Sequence, residues 1–138
     1  MGASVKAILA ANPDMGPGDV YALNAPYAGG THLPDITVVM PVFGAEGLLF
    51  FTAARGHHTD IGGLTPGSMP PDSRTIHDEG VYIENWTLVD AGRFREAETR
   101  ALLTEGPHPA RAPETNLADL RAQVAACAKG AAELDRMV

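Results

Sequence analysis

The sequence predicts an α+β fold: a mixed, mainly antiparallel sheet with a long C-terminal helix and glycine-rich ordered loops. Two apolar runs rich in β-branched or aromatic residues, 35–43 and 47–54, are separated only by residues 44–46, which is typical of an antiparallel hairpin. Towards the C-terminus, apolar residues recur at helical spacing and form one stripe. With 138 residues, 45% of them hydrophobic, the chain is the size of a single domain, 1–138.

The N-terminal segment predicts a short helix followed by a strand. Val5, Ile8 and Leu9 have helical spacing, and Ser4 fits the N-cap of a helix over residues 4–11. Turn-forming residues at 15–19 then lead into a brief strand candidate at 20–23.

The predicted hairpin is followed by a long irregular segment. Pro41 has no N–H to donate, so its side of the first hairpin strand is predicted to lie at an edge or a bulge. Residues 56–72 hold four glycines and three prolines, too many for a regular element. Because they also carry His57, His58, Asp60 and Asp72, we expect an ordered loop with a functional role.

The second half of the chain predicts one strand and two helices. Residues 80–89 have the composition of a strand, and residues 93–103 have that of a helix. A longer helix opens at Thr115 or Asn116. Its apolar stripe consists of Leu117, Leu120, Val124, Cys127, Ala131 and Leu134.

Composition excludes several classes of protein. The formal net charge of -7 argues against nucleic acid as a partner, because neutralising phosphates requires a surplus of lysine and arginine. Cys127 is the single cysteine, so an intrachain disulfide is impossible and a cytoplasmic location is favoured. The N-terminus does not resemble a signal peptide, and the apolar run at 47–54 is too short to span a membrane.

Two short segments carry most of the chemistry. They read Gly-Thr-His-Leu-Pro-Asp at 30–35 and Arg-Gly-His-His-Thr-Asp at 55–60. A hairpin closed at 44–46 brings these segments to its open end, so the side chains of five residues can converge there: His32, Asp35, His57, His58 and Asp60. Imidazole nitrogen with carboxylate oxygen suits Zn²⁺, Mn²⁺ or Fe²⁺. On a strand-like backbone only one of His57 and His58 can face such a site, because neighbouring side chains point to opposite faces.

The same residues also fit simpler roles. A histidine beside an aspartate is commonly a hydrogen-bonded surface pair, and short motifs of this kind are ambiguous by themselves. His77 and His108 lie in polar, turn-like sequence and are expected to face solvent. Cys127 is expected to be an inert packed thiol. The glycines around 62–67 do not have the spacing of a phosphate-binding loop.

Taken together, longer strings in this chain resemble the hydantoinase B / N-methylhydantoinase / 5-oxoprolinase family. They read Pro-Tyr-Ala-Gly-Gly-Thr-His-Leu-Pro-Asp-Ile-Thr at 26–37, Arg-Gly-His-His-Thr-Asp-Ile-Gly-Gly at 55–63, Pro-Gly-Ser-Met-Pro at 66–70, Glu-Gly-Val at 79–81 and Asn-Leu-Ala-Asp-Leu-Arg-Ala-Gln at 116–123. The likeness therefore covers nearly the whole chain.

The resemblance implies a metal-dependent role within an ATP-coupled enzyme. In such enzymes an A-type subunit uses ATP to phosphorylate the substrate, and the B-type subunit handles the activated intermediate at a metal. The resemblance makes His32, Asp35 and His57 ligands of a divalent metal, Zn or Mn. It also places His58, Asp60 and Glu79 as catalytic groups, with Arg55 and the Gly62-Gly63 turn lining the same pocket.

The chain departs from the family in length and at individual positions. Members are several times longer, so residues 1–138 correspond to an internal portion of the family fold, and a further acidic ligand is expected from the part upstream. Ala25 stands where an aspartate is common, which removes a side chain that can orient a ligand. Cys127 replaces a common asparagine. We expect an incomplete metal shell and no turnover by this chain alone.

Three functional hypotheses follow. The first is a partial B-type subunit of a hydantoinase- or oxoprolinase-like amidohydrolase that acts on a small cyclic amide. Its partners would be an A-type subunit and the remainder of the B-type subunit, with self-association as a homo-oligomer covering exposed apolar surface. The second is a degenerate or truncated interaction module without a catalytic metal. The third is a subunit of a related ketone carboxylase.

Overall fold

The computed structural model describes residues 1–30, 32–67, 71 and 73–137. Within these ranges the strands are β1 (Val20–Leu23), β2 (Asp35–Gly44), β3 (Gly47–His57), β4 (Trp86–Asp90) and β5 (Arg93–Phe94). The helices are α1 (Gly2–Ala11), α2 (Ile76–Glu79), α3 (Glu96–Thr104) and α4 (Pro113–Arg136), and a single 3-10 turn covers Pro26–Ala28.

The described strands form one antiparallel sheet with the order β3-β2-β1-β4-β5. The predicted hairpin of β2 and β3 forms one edge of this sheet, and its pairing runs from Gly44 opposite Gly47 at the turn to Asp35 opposite His57 at the open end. The predicted α+β class, with a mainly antiparallel sheet and a long C-terminal helix, is confirmed.

Helices cover the two faces of the sheet unequally. On one face, α1 packs Ile8 against Tyr21, Leu23 and Val39 in a small apolar cluster. On the other face, α3 and α4 build the larger core, whose buried members include Ile36, Val38, Leu88, Leu103, Leu117, Leu120 and Cys127. Alternation along each strand therefore decides which helix a given side chain meets.

Pro41 occupies a position where the sheet does not need its N–H. β1 pairs with β2 only over Thr37–Val39, and a bulge follows between Val42 and Phe43. The backbone N–H of His58 donates to the carbonyl of Pro34. Because backbone hydrogen bonds alternate along an antiparallel strand, the even-numbered residues of β2 then bond to β3, and the odd-numbered ones, including Pro41, face the other side. The nitrogen of Pro41 therefore faces the side that β1 does not reach, which confirms the edge prediction.

Several element boundaries differ from the predictions. Ser4 is not an N-cap: α1 begins at Gly2, and the buried Ser4 hydroxyl donates to the carbonyl of Gly29. The predicted strand at 80–89 is reduced to β4, because the amide of Asn24 holds the backbone at Val81 and Ile83 instead.

The two C-terminal helices also begin elsewhere than predicted. Residues 93–94 form β5, so α3 starts only at Glu96. Helix α4 starts at Pro113, where a proline is tolerated because the first helical N–H groups have no partner within the helix. Among the described residues, none of the helices combines the length and apolar character needed to cross a membrane.

Candidate functional site

His57 and Asp35 meet at the open end of the β2-β3 hairpin. They are register partners, so their side chains emerge on the same face of the sheet. The Nδ1 atom of His57 lies 2.8 Å from Oδ1 of Asp35. A carboxylate only accepts hydrogen bonds, so His57 is the donor and carries its proton on Nδ1. The contact leaves the Nε2 atom of a neutral His57 as the ring's lone-pair nitrogen.

His32 joins this pair from the turn that precedes β2. The backbone N–H of Asp35 donates to the carbonyl of His32, which closes the turn. The Nδ1 atom of His32 lies 3.5 Å from Oδ2 of Asp35, so one carboxylate contacts both imidazoles. The side chains of His32, His57 and Asp35 are 74%, 62% and 25% exposed. The three side chains thus form a solvent-accessible cluster, here called the Asp35 cluster, at the open end of the hairpin. The two other residues predicted to converge there, His58 and Asp60, have other contacts.

The Asp35 cluster has the donor chemistry of a metal site but is joined by hydrogen-bond and ion-pair contacts. Two imidazoles and a carboxylate are a common ligand set for catalytic zinc and related divalent ions. Among the residues that the structure describes, no group of three or more His, Cys, Asp or Glu side chains has an arrangement that could hold a metal ion. Binding an ion here therefore requires Asp35 to exchange at least one imidazole contact for coordination.

Arg55 lies beside the Asp35 cluster on the same face of β3. Its Nε donates to Oγ1 of Thr37 at 2.8 Å, and its Nη2 donates to Oγ of Ser4 at 3.0 Å. Because Ser4 belongs to α1, this guanidinium ties the helix to the hairpin two residues from His57. Arg55 therefore lies on the face of the sheet that carries the cluster.

His58 points to the opposite face and is buried in the interior, with 1% of its surface exposed. Its Nε2 lies 2.9 Å from Oε1 of Gln123, and its Nδ1 lies 3.0 Å from Nδ2 of Asn116, both on α4. The expected opposition of His57 and His58 is therefore present. The catalytic role predicted for His58 stays a prediction, and its contacts are those of a residue that joins β3 to α4.

The amides around His58 define its proton position. Nε2 of Gln123 donates to the carbonyls of Ile36 and Ala54, so Oε1 of Gln123 must accept from Nε2 of His58. Nδ2 of Asn116 then donates to the bare Nδ1. Burial lowers the pKa of His58 below its ordinary value, because desolvation disfavours the charged ring. The ring is therefore neutral and protonated on Nε2.

Asp60 organises the glycine-rich loop and the start of α4. Its carboxylate accepts the N–H groups of Gly62 and Gly67 at 2.8 and 2.9 Å and pairs with Nη1 of Arg111 at 3.0 Å. Burial alone would raise the pKa of Asp60, but the hydrogen bonds from Gly67, Gly62 and Arg111 outweigh it and hold the pKa below its usual value. The contacts of Asp60 thus run toward α4 and the loop.

Glu79 closes α2 and lies in a different shallow depression. Tyr27, Ser73, Arg74, Thr75 and Ile76 line that depression with it. Arg55 and the Gly62-Gly63 turn, predicted to share a pocket with Glu79, do not line this depression. Gly63 instead packs against the backbone of Glu79. Gly63 has a φ of 96°, and a Cβ there would lie 2.8 Å from the carbonyl carbon of Glu79. Glycine at this position serves close packing of two backbone segments.

Some residues of the predicted motifs lie outside the described part of the chain. They are Thr31, Ser68, Met69, Pro70 and Asp72. Sequence reasoning also missed three buried amides that the structure makes prominent: Asn24, Asn116 and Gln123. The available signal was position on α4, because Asn116 directly precedes the buried Leu117 and Gln123 lies between the buried Leu120 and Cys127.

The fold and the site define an α+β module in which a hairpin presents a His/Asp cluster and a long helix supports it from behind. The whole of residues 1–138 matches the family described as hydantoinase B/oxoprolinase. The 5-oxoprolinase 1 of Arabidopsis thaliana is 45% identical over 130 residues, which make up 88% of this chain and 10% of that protein. The chain therefore belongs to the hydantoinase B/oxoprolinase family.

Two further relatives agree with the fold. The caprolactamase subunit beta of Pseudomonas jessenii is 39% identical over 113 residues, covering 82% of this chain and 19% of that protein. The crystal structure of ATP-dependent caprolactamase from the same organism superposes with a TM-score of 0.82 at 32% identity, over 99% of this chain and 24% of the other. The nucleotide-free structure of acetone carboxylase has the same fold, with a TM-score of 0.85 at 22% identity over 100% of this chain and 18% of the other.

The shared region is a small part of each relative. The chain spans about a tenth of the curated 5-oxoprolinase and about a fifth of the caprolactamase subunit. The described module is thus one segment of a much longer family fold in those proteins.

Proposed function

We propose that this chain is a partial B-type subunit of an ATP-coupled amidohydrolase of the hydantoinase/oxoprolinase type, and that the Asp35 cluster holds a divalent metal. The observation that carries the proposal is the contact of one carboxylate with two exposed imidazoles, at 2.8 Å to His57 and 3.5 Å to His32. Because both imidazoles are largely exposed to solvent, folding of the hairpin does not require them to meet this carboxylate.

The residues proposed to hold Zn²⁺ or Mn²⁺ are His32, Asp35 and His57. When bound, such an ion acidifies a water molecule or polarises the carbonyl of an activated cyclic amide. Ligation by Asp35 would replace its hydrogen bond from Nδ1 of His57, and Arg55 adds a fixed positive charge on the same face.

Partners complete this proposal. One relative is named as the beta subunit of a caprolactamase, and relatives are several times longer than this chain. We infer that turnover requires the remainder of the B-type fold, which also supplies a further acidic ligand, and an A-type subunit that carries ATP. Catalytic roles for His58, Asp60 and Glu79, a small-molecule substrate and a cytoplasmic setting belong to the same proposal.

A second candidate is an interaction module that binds no catalytic metal. Two observations favour it: Asp35 uses its oxygens on imidazoles, and the buried Ala25 offers no acidic side chain. A ketone carboxylase subunit is a third candidate with the same ligands, but likeness to acetone carboxylase at 22% identity concerns the fold alone.

Metal titration of the purified chain separates the first two candidates. Zn²⁺ or Mn²⁺ at about one hundred times its dissociation constant is expected to add about 2.7 kcal/mol to the free energy of unfolding, raising the melting temperature. His32→Ala should abolish this shift. His77→Ala, at another exposed histidine, is the matched control and should keep it. An unchanged melting temperature of the wild-type chain at saturating metal would leave only the interaction module.

A further inference from the structure

We propose that Gln123 and Asn116 of α4 are positioning residues for His57, acting through its neighbour His58. Their consequence for metal binding rests on the proposed function, whereas their effect on the His57–Asp35 contact does not. The inference starts from the shared peptide of His57 and His58, because any restraint on the buried ring also restrains the exposed one. Neighbouring side chains on opposite faces of a strand move together when their common backbone moves.

The backbone at this point has little other support. β3 ends at His57, at the open end of the hairpin, where the ladder no longer continues. The next backbone contact is the N–H of His58 donating to the carbonyl of Pro34 at 2.7 Å, directly before Asp35. Strand ends of this kind open readily unless tertiary contacts hold them. The ring of His58 supplies such contacts by bridging to α4.

The contacts of the His58 ring form a chain of hydrogen bonds with a single direction. At one end, Nε2 of Gln123 donates to Ile36 at 2.8 Å and to Ala54 at 3.0 Å, which belong to both strands of the hairpin. At the other end, Nδ2 of Asn116 donates to the carbonyl of Asp60 at 2.9 Å. These fixed acceptors leave one arrangement of donors and acceptors around the ring, so His58 cannot turn without breaking several bonds.

One polar atom of Asn116 is left without a hydrogen bond in the described part of the chain, which also indicates that the orientation of this amide is set by His58 and Asp60. Its Oδ1 is buried and has no hydrogen-bond partner among the described residues, an arrangement that ordinary protein interiors avoid. Flipping the amide would place Oδ1 against the carbonyl of Asp60 and would face His58 with an oxygen instead of a donor. The native orientation therefore satisfies His58 and Asp60 at the expense of Oδ1.

Gln123, His58 and Asn116 are here called the clamp, because their hydrogen bonds hold the end of β3 against α4. Gln123 also packs against Gly56, where an added Cβ would lie 3.2 Å from its amide carbon. Gly56 and His58, on either side of His57, therefore both contact the side chain of Gln123. With both neighbours held, His57 is kept in register with Asp35.

Nuclear magnetic resonance of the full chain, with ¹⁵N-labelled histidine and no metal, tests this directly. In the wild type, His57 should carry its proton on Nδ1 and His58 on Nε2. Gln123→Met removes the amide and keeps an unbranched side chain, so His57 should lose its Nδ1 preference and show the exchanging tautomers of a free histidine. Metal affinity should fall on the order of ten-fold.

Cys127→Ala is the matched control, because Cys127 lies one turn further along α4 and contacts the carbonyl of Val38 instead of His58. It should lower the melting temperature and leave the His57 signal and the metal affinity unchanged. If Gln123→Met does not fold, Asn116→Ser shortens the other side chain, removes the amide that donates to Nδ1 of His58, and carries the same expectation.

The outcomes separate the two proposals. A His57 signal that is native in Gln123→Met and in Asn116→Ser would overturn the clamp, and so would an equal loss in Cys127→Ala. If the wild type binds no metal while His57 loses its tautomer only in the clamp variants, the clamp holds and the proposed metal function fails.

Discussion

His57 and His58 are consecutive in the sequence but lie in contrasting parts of the molecule. His57 is exposed on the α1 face of the sheet and donates to Asp35, whereas His58 is buried on the α4 face between two amides. The exposed ring has a lone-pair nitrogen available for a ligand, and the buried ring has both nitrogens engaged. The same residue type therefore serves a candidate site in one position and the structural support of that site in the next.

Replacing the two histidines separately should give the largest difference in stability. His58→Ala is expected to lower the free energy of unfolding by about 3 kcal/mol or more, because it leaves a cavity and deprives Gln123 and Asn116 of their partner. His57→Ala should change it by less than about 1 kcal/mol, since exposed ion pairs contribute little. Urea denaturation followed by circular dichroism measures both, and similar losses would remove the contrast between the two positions.

The pH dependence of stability should sharpen the same comparison. Burial lowers the pKa of His58 in the folded state, so below the ordinary histidine value of roughly 6.5 the unfolded chain takes up a proton that the native chain refuses. Stability is therefore full above that pH and falls as the pH decreases towards the folded pKa. The slope contributed by this group is at most about 1.4 kcal/mol per pH unit.

Two variants isolate this contribution. His58→Gln should flatten the decline in the free energy of unfolding between pH 7 and pH 5, because the titrating group is gone. His57→Gln should leave the decline in place. A wild-type profile that is flat over this range, measured by urea denaturation at each pH, would mean that His58 is protonated in the folded protein.

Local pattern was enough to predict the hairpin and the meeting of its distant residues. The β-branched runs and the short turn determine which residues lie at the open end, so Asp35 and His57 became neighbours without knowledge of the helices. Alternation also predicted that His57 and His58 would separate. It did not reveal which of them would be buried, because that depends on the face that α4 covers.

Tertiary contacts decided the features that the sequence did not reveal. Residues 81–85 have strand composition, yet Asn24 takes their hydrogen bonds and only Trp86–Asp90 pairs in the sheet. Ser4 has the chemistry of an N-cap, but its hydroxyl finds a carbonyl 25 residues away. The roles of Asp60 and Gln123 likewise arise from partners far along the chain, which local spacing does not specify.

The central claim is that His32, Asp35 and His57 form one metal site, and the most direct measurement is a Zn²⁺ titration of the ¹⁵N-histidine-labelled chain. We predict saturation at one ion per chain, with the ring nitrogens of His32 and His57 shifting together and those of His58 unchanged. Shifts confined to other histidines, or independent titration of His32 and His57, would contradict the claim.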